Sequence, residues 1–337
     1  MVPPLRAELA LAGAMGRFKA APPEPAWFPE FASFYRAQLD QRLSWESLLA
    51  NLASMLPMSR VFERWLRRAR PGLIVLDNWC NGPLFAAALA AHRLGIPVMD
   101  LQHGIQEHTH SYYHFWHRAP PGGWPGRPDI FWVWGARTET LFHETNRIYQ
   151  EIVRGGSPWI RRWLSNTDPH LETARLEVRR LLEGYSRSIL VTLTCPASRC
   201  LRYLKDTIAK SPRNWIWLVR SHPREMIDRQ RIEQELGCIA RVTVRCHNAT
   251  EWQLYALLLE VDLHVSVEST CANEALAFGK PTIFISETGL MNFREFVDAG
   301  VMFYAERPED FYDAADRALQ IDPARLKDAA SSLFSMN

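Results

Sequence analysis

From Pro71 onward the chain alternates short apolar runs with longer helical stretches, and this alternation limits the fold more than any other feature. Residues 73–77, 97–101 and 129–134 read as buried strands, with helices at 83–94 and 138–149. Apolar strands alternating with helices predict a parallel sheet covered on both faces. The alternation then restarts. Strands are expected at 188–193, 215–220, 241–245, 262–267 and 282–285, with helices at 201–209, 224–236, 250–259, 271–278 and 308–320. The second half therefore reads as a complete doubly wound domain, and the first as a shorter one with helices before it. Two domains also suit 337 residues, because single cores stop growing at roughly 250–300 residues. The expected domains are 1–165 and 166–325, joined where GGSP and SNTDP punctuate the chain. Residues 1–70 are expected to be mostly helical. Leu39, Leu43, Leu48, Leu52 and Met55 fall at helical spacing, followed by Val61 and Trp65, with Ser59 placed to cap a second helix.

Composition excludes little but narrows the partners. The formal net charge is +2, so charge balance alone predicts no nucleic-acid or membrane partner. The six cysteines include no CxxC pair and lie in or beside apolar runs, which reads as reduced core thiols in a cytoplasmic protein. The amino terminus lacks the basic head and apolar stretch of a signal peptide. No apolar run reaches the ~18–20 residues that span a bilayer. GxGxxG and GxxxxGK[ST] are both absent, which argues against hydride and nucleoside-triphosphate chemistry.

In an open parallel sheet, ligands bind beyond the carboxyl ends of the strands. Four strand ends stand out. Arg220, Ser221, His222 and Pro223 follow WIWLV; a cation and a histidine there can meet a phosphate or a ribose, or form a plain strand-to-helix turn. Ser266, Ser269 and Thr270 follow DLHV and open a helix, so hydroxyls and free backbone N–H groups meet at one point; that arrangement suits an anion, or simple capping. Glu274, one turn into that helix, can accept both hydroxyls of a ribose or stand solvated. In the first half, Gln102, His103 and Gly104 follow PVMDL, and a histidine there suits proton transfer near neutral pH, or a structural hydrogen bond.

Together these motifs resemble the B-fold glycosyltransferases. DLHVSVESTCANEALAFGKPTIFI resembles their nucleotide-binding stretch. RSHP and SVEST are similar to the HP and Ser-Ser/Thr motifs of bacterial sialyltransferases, with relatives in capsule Kdo transferases and teichoic-acid glycerophosphotransferases. The resemblance covers roughly residues 71–320. It implies an α/β fold of two Rossmann-like domains facing each other across a cleft (GT-B), the amino-terminal one shortened with extra helices. It implies a CMP-, CDP- or UDP-linked donor. His222 would contact the nucleotide, Ser269 and Thr270 the phosphate, and Glu274 the ribose. LQHGI resembles a His-Gly motif whose histidine serves catalysis, and GGSPWI the turn before the interdomain linker. The Asp/Glu-Asp/Glu-Gly motif of sialyltransferases is absent, which leaves His103 as the expected base and Asp77 as second choice.

The acceptor side is expected in 104–128, where His108, His110, His114 and His117 mix with Tyr112, Tyr113, Trp116 and Trp124. Aromatic rings bind the apolar faces of sugars, so Tyr112, Tyr113 and Trp116, with Trp79 and Gln102, are the expected acceptor contacts; a packed loop is the plainer reading. A metal is not expected: His108 and His110 lie close, but beyond Glu107 no cysteine or second carboxylate joins them. No cofactor other than the donor is required. The stretch 60–70, RVFERWLRRAR, can lie on an anionic membrane surface, although a core helix with a solvated basic face is the preferred reading.

The expected reaction is sugar transfer from a nucleotide donor to a carbohydrate or lipid-linked acceptor of a bacterial surface polysaccharide. Two alternatives remain. One is a nucleotide-sugar epimerase resembling the non-hydrolysing 2-epimerases, needing no acceptor. The other is a non-catalytic subunit of a polysaccharide assembly.

Overall fold

The computed structural model describes residues 3–15, 22–39, 42–104, 106, 113–114, 123–145, 151–165, 168–193, 200–222, 229–237, 239, 242–247 and 253–335. The chain divides into two compact units, residues 1–133 with 139–153, and residues 134–138 with 154–337. No helix among the described residues is long and apolar enough to cross a membrane.

Helices fill the start of the first unit. The longest, Trp45–Ala69, begins in a capping box: Ser47 N–H donates to Ser44 Oγ at 3.1 Å, and Ser44 N–H to Ser47 Oγ at 3.3 Å. It runs through Pro57 without a break. The expected second start at Ser59 is therefore corrected. Ser59 is fully buried, donates to the Leu56 carbonyl and accepts Arg93 Nη1 at 3.0 Å. One apolar face continues through Met58, Val61 and Phe62 into the core, and the helix follows it.

A four-stranded sheet follows, in the order β1 (Ile74–Leu76), β2 (Val98–Leu101), β3 (Ile130–Val133) and β4 (Glu151–Arg154). β1 pairs parallel with β2, and β2 with β3. The helix Gly82–Arg93 makes the first crossover and buries five alanines against the sheet and the long helix. The strand order follows the chain order, so this sheet never doubles back.

The second unit does double back. Its strands are β5 (Arg187–Thr192), β6 (Trp215–Arg220), β7 (Thr243–His247), β8 (Leu263–Ser266), β9 (Thr282–Phe284) and β10 (Phe303–Tyr304). They lie in the order β10-β9-β8-β5-β6-β7. All five neighbouring pairs are parallel. The chain builds outward from β5 to β7, crosses to the far side of β5, and builds outward again. That is the doubly wound order, with its switch between β5 and β8. β5 is buried from Ser188 to Thr192 and β8 along its whole length, as expected of central strands covered on both faces.

A buried histidine fastens the switch. His264 on β8 meets Thr192 Oγ1 of β5 through Nε2 at 2.9 Å, and Thr282 Oγ1 of β9 through Nδ1 at 3.0 Å. Burial drives its pKa down to about 3, so it stays neutral and ties three strands together.

Candidate functional site

The switch puts the carboxyl ends of β5 and β8 side by side. Beyond β8 the chain folds back on itself. Ser266 is fully buried, and its Oγ accepts the Ser269 N–H at 2.9 Å. Ser269 Oγ in turn accepts the Cys271 N–H at 3.3 Å. Ser266 was expected to contact a ligand; its hydroxyl instead sets the shape of the loop. Ser269 and Thr270 remain half-buried at the loop's outer end.

The loop is braced from behind. Ser286 donates to the Val267 carbonyl and accepts the Gly289 N–H at 3.1 Å. A Cβ at Gly289 would stand 2.3 Å from the Val267 oxygen and 2.6 Å from Phe284 Cδ1. Only glycine lets the helix Glu287–Asn292 approach the loop this closely.

Glu274 lies in the helix Cys271–Ala277 and is 7% exposed. Tyr255 OH reaches its Oε1 at 3.5 Å, while Oε2 is buried with no hydrogen-bond partner among the described residues. Burial raises its pKa to about 8, opposed by its hydrogen bonds. The neighbouring Asn273 also buries an unpartnered Oδ1. Tyr255 is held by edge-on contacts with Trp163 and Phe278, at 6.0 and 5.3 Å between centroids. An unmatched buried polar atom costs about 1–3 kcal/mol, which a hydroxyl-bearing ligand would recover.

Arg220 ends β6 and is half-buried, in register with Thr192 of β5. Burial lowers its pKa, while the Cys271 thiol, close enough to interact, opposes the shift. The same thiol is pushed up to about 12, first by burial and then by Glu274. Arg220, Thr192, Ser269, Cys271 and Glu274 thus form one electrostatic neighbourhood. His222 follows two residues after Arg220 and is half-buried; Pro223 lies outside the described residues.

The first unit gathers a second group beyond β1 and β2. Asp77 and His103 follow those strands and are both exposed. Desolvation by its surroundings lowers the His103 pKa; the Asp77 charge works against that shift. Behind them Asp100, 1% exposed, accepts the Trp79 N–H at 3.0 Å and the Tyr113 hydroxyl at 2.9 Å. Burial pushes its pKa to about 7, opposed by those two bonds and reinforced by Asp77.

Three expected acceptor contacts are corrected. Trp79 is 3% exposed and Tyr113 is fully buried, their rings 6.5 Å apart in the core. Gln102 is buried and donates to the Gly104 carbonyl at 3.1 Å. Aromatic rings beside an Asp-bearing strand pack inward here because the sheet needs them as core. His114 is also a core group, between Thr145 Oγ1 at 2.6 Å and the Gln106 carbonyl at 3.0 Å. Tyr112, Trp116, His108, His110, His117 and Glu107 lie outside the described residues. Among the described residues no group of three or more His, Cys, Asp or Glu side chains is placed to hold a metal. Cys80, Cys200, Cys246 and Cys271 are free thiols.

Sequence reasoning passed over Asp100, Tyr255 and Asn273. Asp100 carried a signal, since a lone carboxylate inside the apolar run PVMDL must be buried and paired. Tyr255 carried none, because its partner lies 19 residues away.

No protein-family model matches the sequence, and comparison with curated proteins finds no match. Solved structures do match. A candidate UDP-N-acetylglucosamine 2-epimerase from Listeria monocytogenes is 14% identical, with TM-score 0.60, over 85% of this chain and 76% of that one. The UDP-GlcNAc 2-epimerase from Neisseria meningitidis, bound to UDP-GlcNAc, is 14% identical, with TM-score 0.56, over 84% of this chain and 76% of that one. The glycotransferase of kitacinnamycin is 15% identical, with TM-score 0.54, over 98% of this chain and 87% of that one. At such identities the likeness is one of fold: the chain has the α/β fold of two Rossmann-like units that glycosyltransferases of the B type and these epimerases share.

Proposed function

We propose that the protein binds a nucleotide-activated sugar through its second unit and transfers the sugar to a carbohydrate or lipid-linked hydroxyl. The observation that carries the nucleotide reading is Glu274. A carboxyl group is buried with one oxygen unpartnered, at the carboxyl ends of a doubly wound sheet, beside an arginine and a hydroxyl-bearing loop. The two ribose hydroxyls of a nucleotide are donors of the kind it lacks. Arg220, Ser269 and Thr270 would neutralise charge growing on the leaving phosphate, with His222 against the nucleotide. Fixed donors of that kind are often the largest catalytic contribution.

In the transfer, the bond from the anomeric carbon to the donor phosphate oxygen breaks and a bond to the acceptor oxygen forms. The acceptor proton passes to His103, whose lowered pKa keeps it neutral and able to accept. Asp77 would hold the resulting imidazolium. The structural relatives favour a second reading as strongly, because several of them are 2-epimerases. That enzyme would invert a carbon of a free nucleotide sugar and would need no acceptor. A role in surface polysaccharide synthesis follows only from the transfer reading.

Calorimetry with CMP, CDP, UDP and GDP, with and without magnesium, tests the shared part. Tight binding of one nucleotide, lost in Glu274→Ala and Ser269→Ala, is the expected result. Absence of binding by all four would overturn both readings. The matching nucleotide sugar, incubated alone and followed by NMR, then separates them: conversion to an epimer without acceptor replaces the transferase with the epimerase.

A further inference from the structure

Asp100 is 1% exposed, and the reaction proposed above gives it no part. It stands on β2 opposite Leu76, the last residue of β1, so its carboxyl lies where the two strands end together. A carboxyl group carried into a core must find hydrogen-bond donors there. The two that Asp100 finds belong to different segments. Oδ1 accepts the N–H of Trp79, two residues beyond Asp77. Oδ2 accepts the hydroxyl of Tyr113, whose ring stands 6.4 Å from that of His103. Both bonds therefore end beside the groups assigned to proton transfer.

Each segment is stiff in itself. The turn after β1 is closed by Asn81 N–H, which donates to the Asn78 carbonyl at 3.0 Å. Inside it the Cys80 thiol donates to Asn78 Oδ1 at 2.7 Å. A shift of Trp79 thus carries the turn and Asp77 with it. Tyr113 is fixed by edge-on contacts with Trp79 and Phe131, at 6.5 and 6.0 Å between centroids, and by Phe142 at 6.1 Å. The Asp100 carboxyl ties this ring to the turn.

We propose that Asp100 is a positioning residue: through Trp79 it sets the turn that carries Asp77, and through Tyr113 it sets the wall against which His103 stands. This rests on the reading of His103 as the base. Placement matters because the accepting nitrogen must come within about 3 Å of the acceptor hydroxyl, and a displacement of about 1 Å costs on the order of 100-fold. Among the described residues Asp77, Cys80 and Tyr113 are the titratable groups that interact with Asp100. Burial keeps its proton on up to about pH 7, while desolvation puts the His103 titration below the ordinary histidine range. Asp100 is thus neutral where His103 titrates, and Asp77 brings the charge that meets the imidazolium.

Three variants of the full chain test it. Asp100→Ala removes both bonds, Tyr113→Phe keeps the ring and removes one, and Asp100→Asn can make both. Turnover of the first two should fall by about 10–100-fold, with the donor KM and the nucleotide affinity unchanged, while Asp100→Asn stays near the wild type. NMR of the His103 imidazole, assigned by its loss in His103→Ala, reads position without turnover. Its titration midpoint should rise toward that of a solvated histidine in Asp100→Ala and Tyr113→Phe and stay in place in Asp100→Asn. An Asp100 that only stabilised the fold would lower the melting temperature and leave that midpoint unmoved. Circular dichroism confirms folding, and Tyr113→Phe, which deletes a single oxygen, carries the test if Asp100→Ala does not fold. An unmoved midpoint with near-normal turnover in folded Tyr113→Phe overturns the proposal. So does an Asp100→Asn variant as impaired as Asp100→Ala, since the bonds would then not be what matters. A wild type that transfers no sugar would remove the base role from His103, yet the midpoints would still show whether Asp100 places its ring, so the two failures are distinct.

Discussion

The hydroxyl of Tyr113 donates to Asp100 Oδ2 at 2.9 Å, and both residues are buried in the first unit. The carboxyl pKa rises to about 7 because burial outweighs that bond and the one from Trp79 N–H. The folded protein thus holds a proton on Asp100 that the unfolded chain releases near pH 4. Stability from this group is full below about pH 4 and is lost as pH rises through 7, a change on the order of 4 kcal/mol at most. Asp100→Asn keeps an acceptor for Trp79 and a donor for Tyr113 without the charge. Urea unfolding at pH 4.5, 6 and 7.5 should show the variant gaining on the wild type at each step. A constant difference across that range would sink the assignment.

Glu274 has the same sign of shift and a ligand to report it. Its pKa of about 8 means that it is mostly protonated at neutral pH. If ribose hydroxyls donate to it, the ionised form binds best. Nucleotide affinity should therefore rise with pH up to about 8, by at most ten-fold per unit, and then level off. Glu274→Gln should bind more weakly at pH 8.5 and lose the pH dependence. Titration calorimetry between pH 6 and 9 checks this, and a flat wild-type profile would remove Glu274 from the ribose site.

Much of the frame was legible in the sequence because buried strands write themselves as apolar runs. WIWLV and DLHVS gave β6 and β8 within a residue or two. β4 was missed, since Glu151–Arg154 has charged ends and two half-buried residues, too few to establish a period. The continuous helix through Pro57 was misread because local sequence signals a break there, while the face formed by Met58, Val61 and Phe62 is satisfied only in three dimensions. The site divides in the same way. Strand ends and the helix after β8 singled out Arg220, Glu274 and His103 as candidates, yet sequence could not say which polar side chains would turn inward. Ser266, Gln102 and Tyr113 all did, each toward a backbone or carboxylate group supplied by the fold.

His103→Ala separates chemistry from binding. Its ring lies in the first unit, and the groups assigned to the nucleotide lie in the second. Loss of a general base costs roughly 10²–10⁴-fold in turnover. The variant should therefore bind nucleotide with unchanged affinity while transfer falls by that factor. Weakened nucleotide binding together with near-normal turnover would reverse the assignment.

Gly289→Ala probes the brace behind the loop that the proposed function assigns to the phosphate. The new methyl group would meet the Val267 carbonyl at 2.3 Å and the Phe284 ring at 2.6 Å. The ring also stacks on Phe293 at 4.7 Å between centroids, which restricts its retreat. Overpacking of this kind costs about 1–3 kcal/mol, so the melting temperature should fall by several degrees. The loop can yield more readily than the sheet, and Val267 is bonded through its carbonyl to Ser286. Its displacement would shift Ser269 and Thr270, which the proposed function places against the phosphate. Nucleotide affinity should consequently drop more than in Ser286→Ala, which removes one hydrogen bond without inserting volume. Calorimetry and thermal melts on the two variants measure both effects. An alanine variant that melts lower but binds nucleotide as tightly as the wild type would mean that this loop does not carry the phosphate.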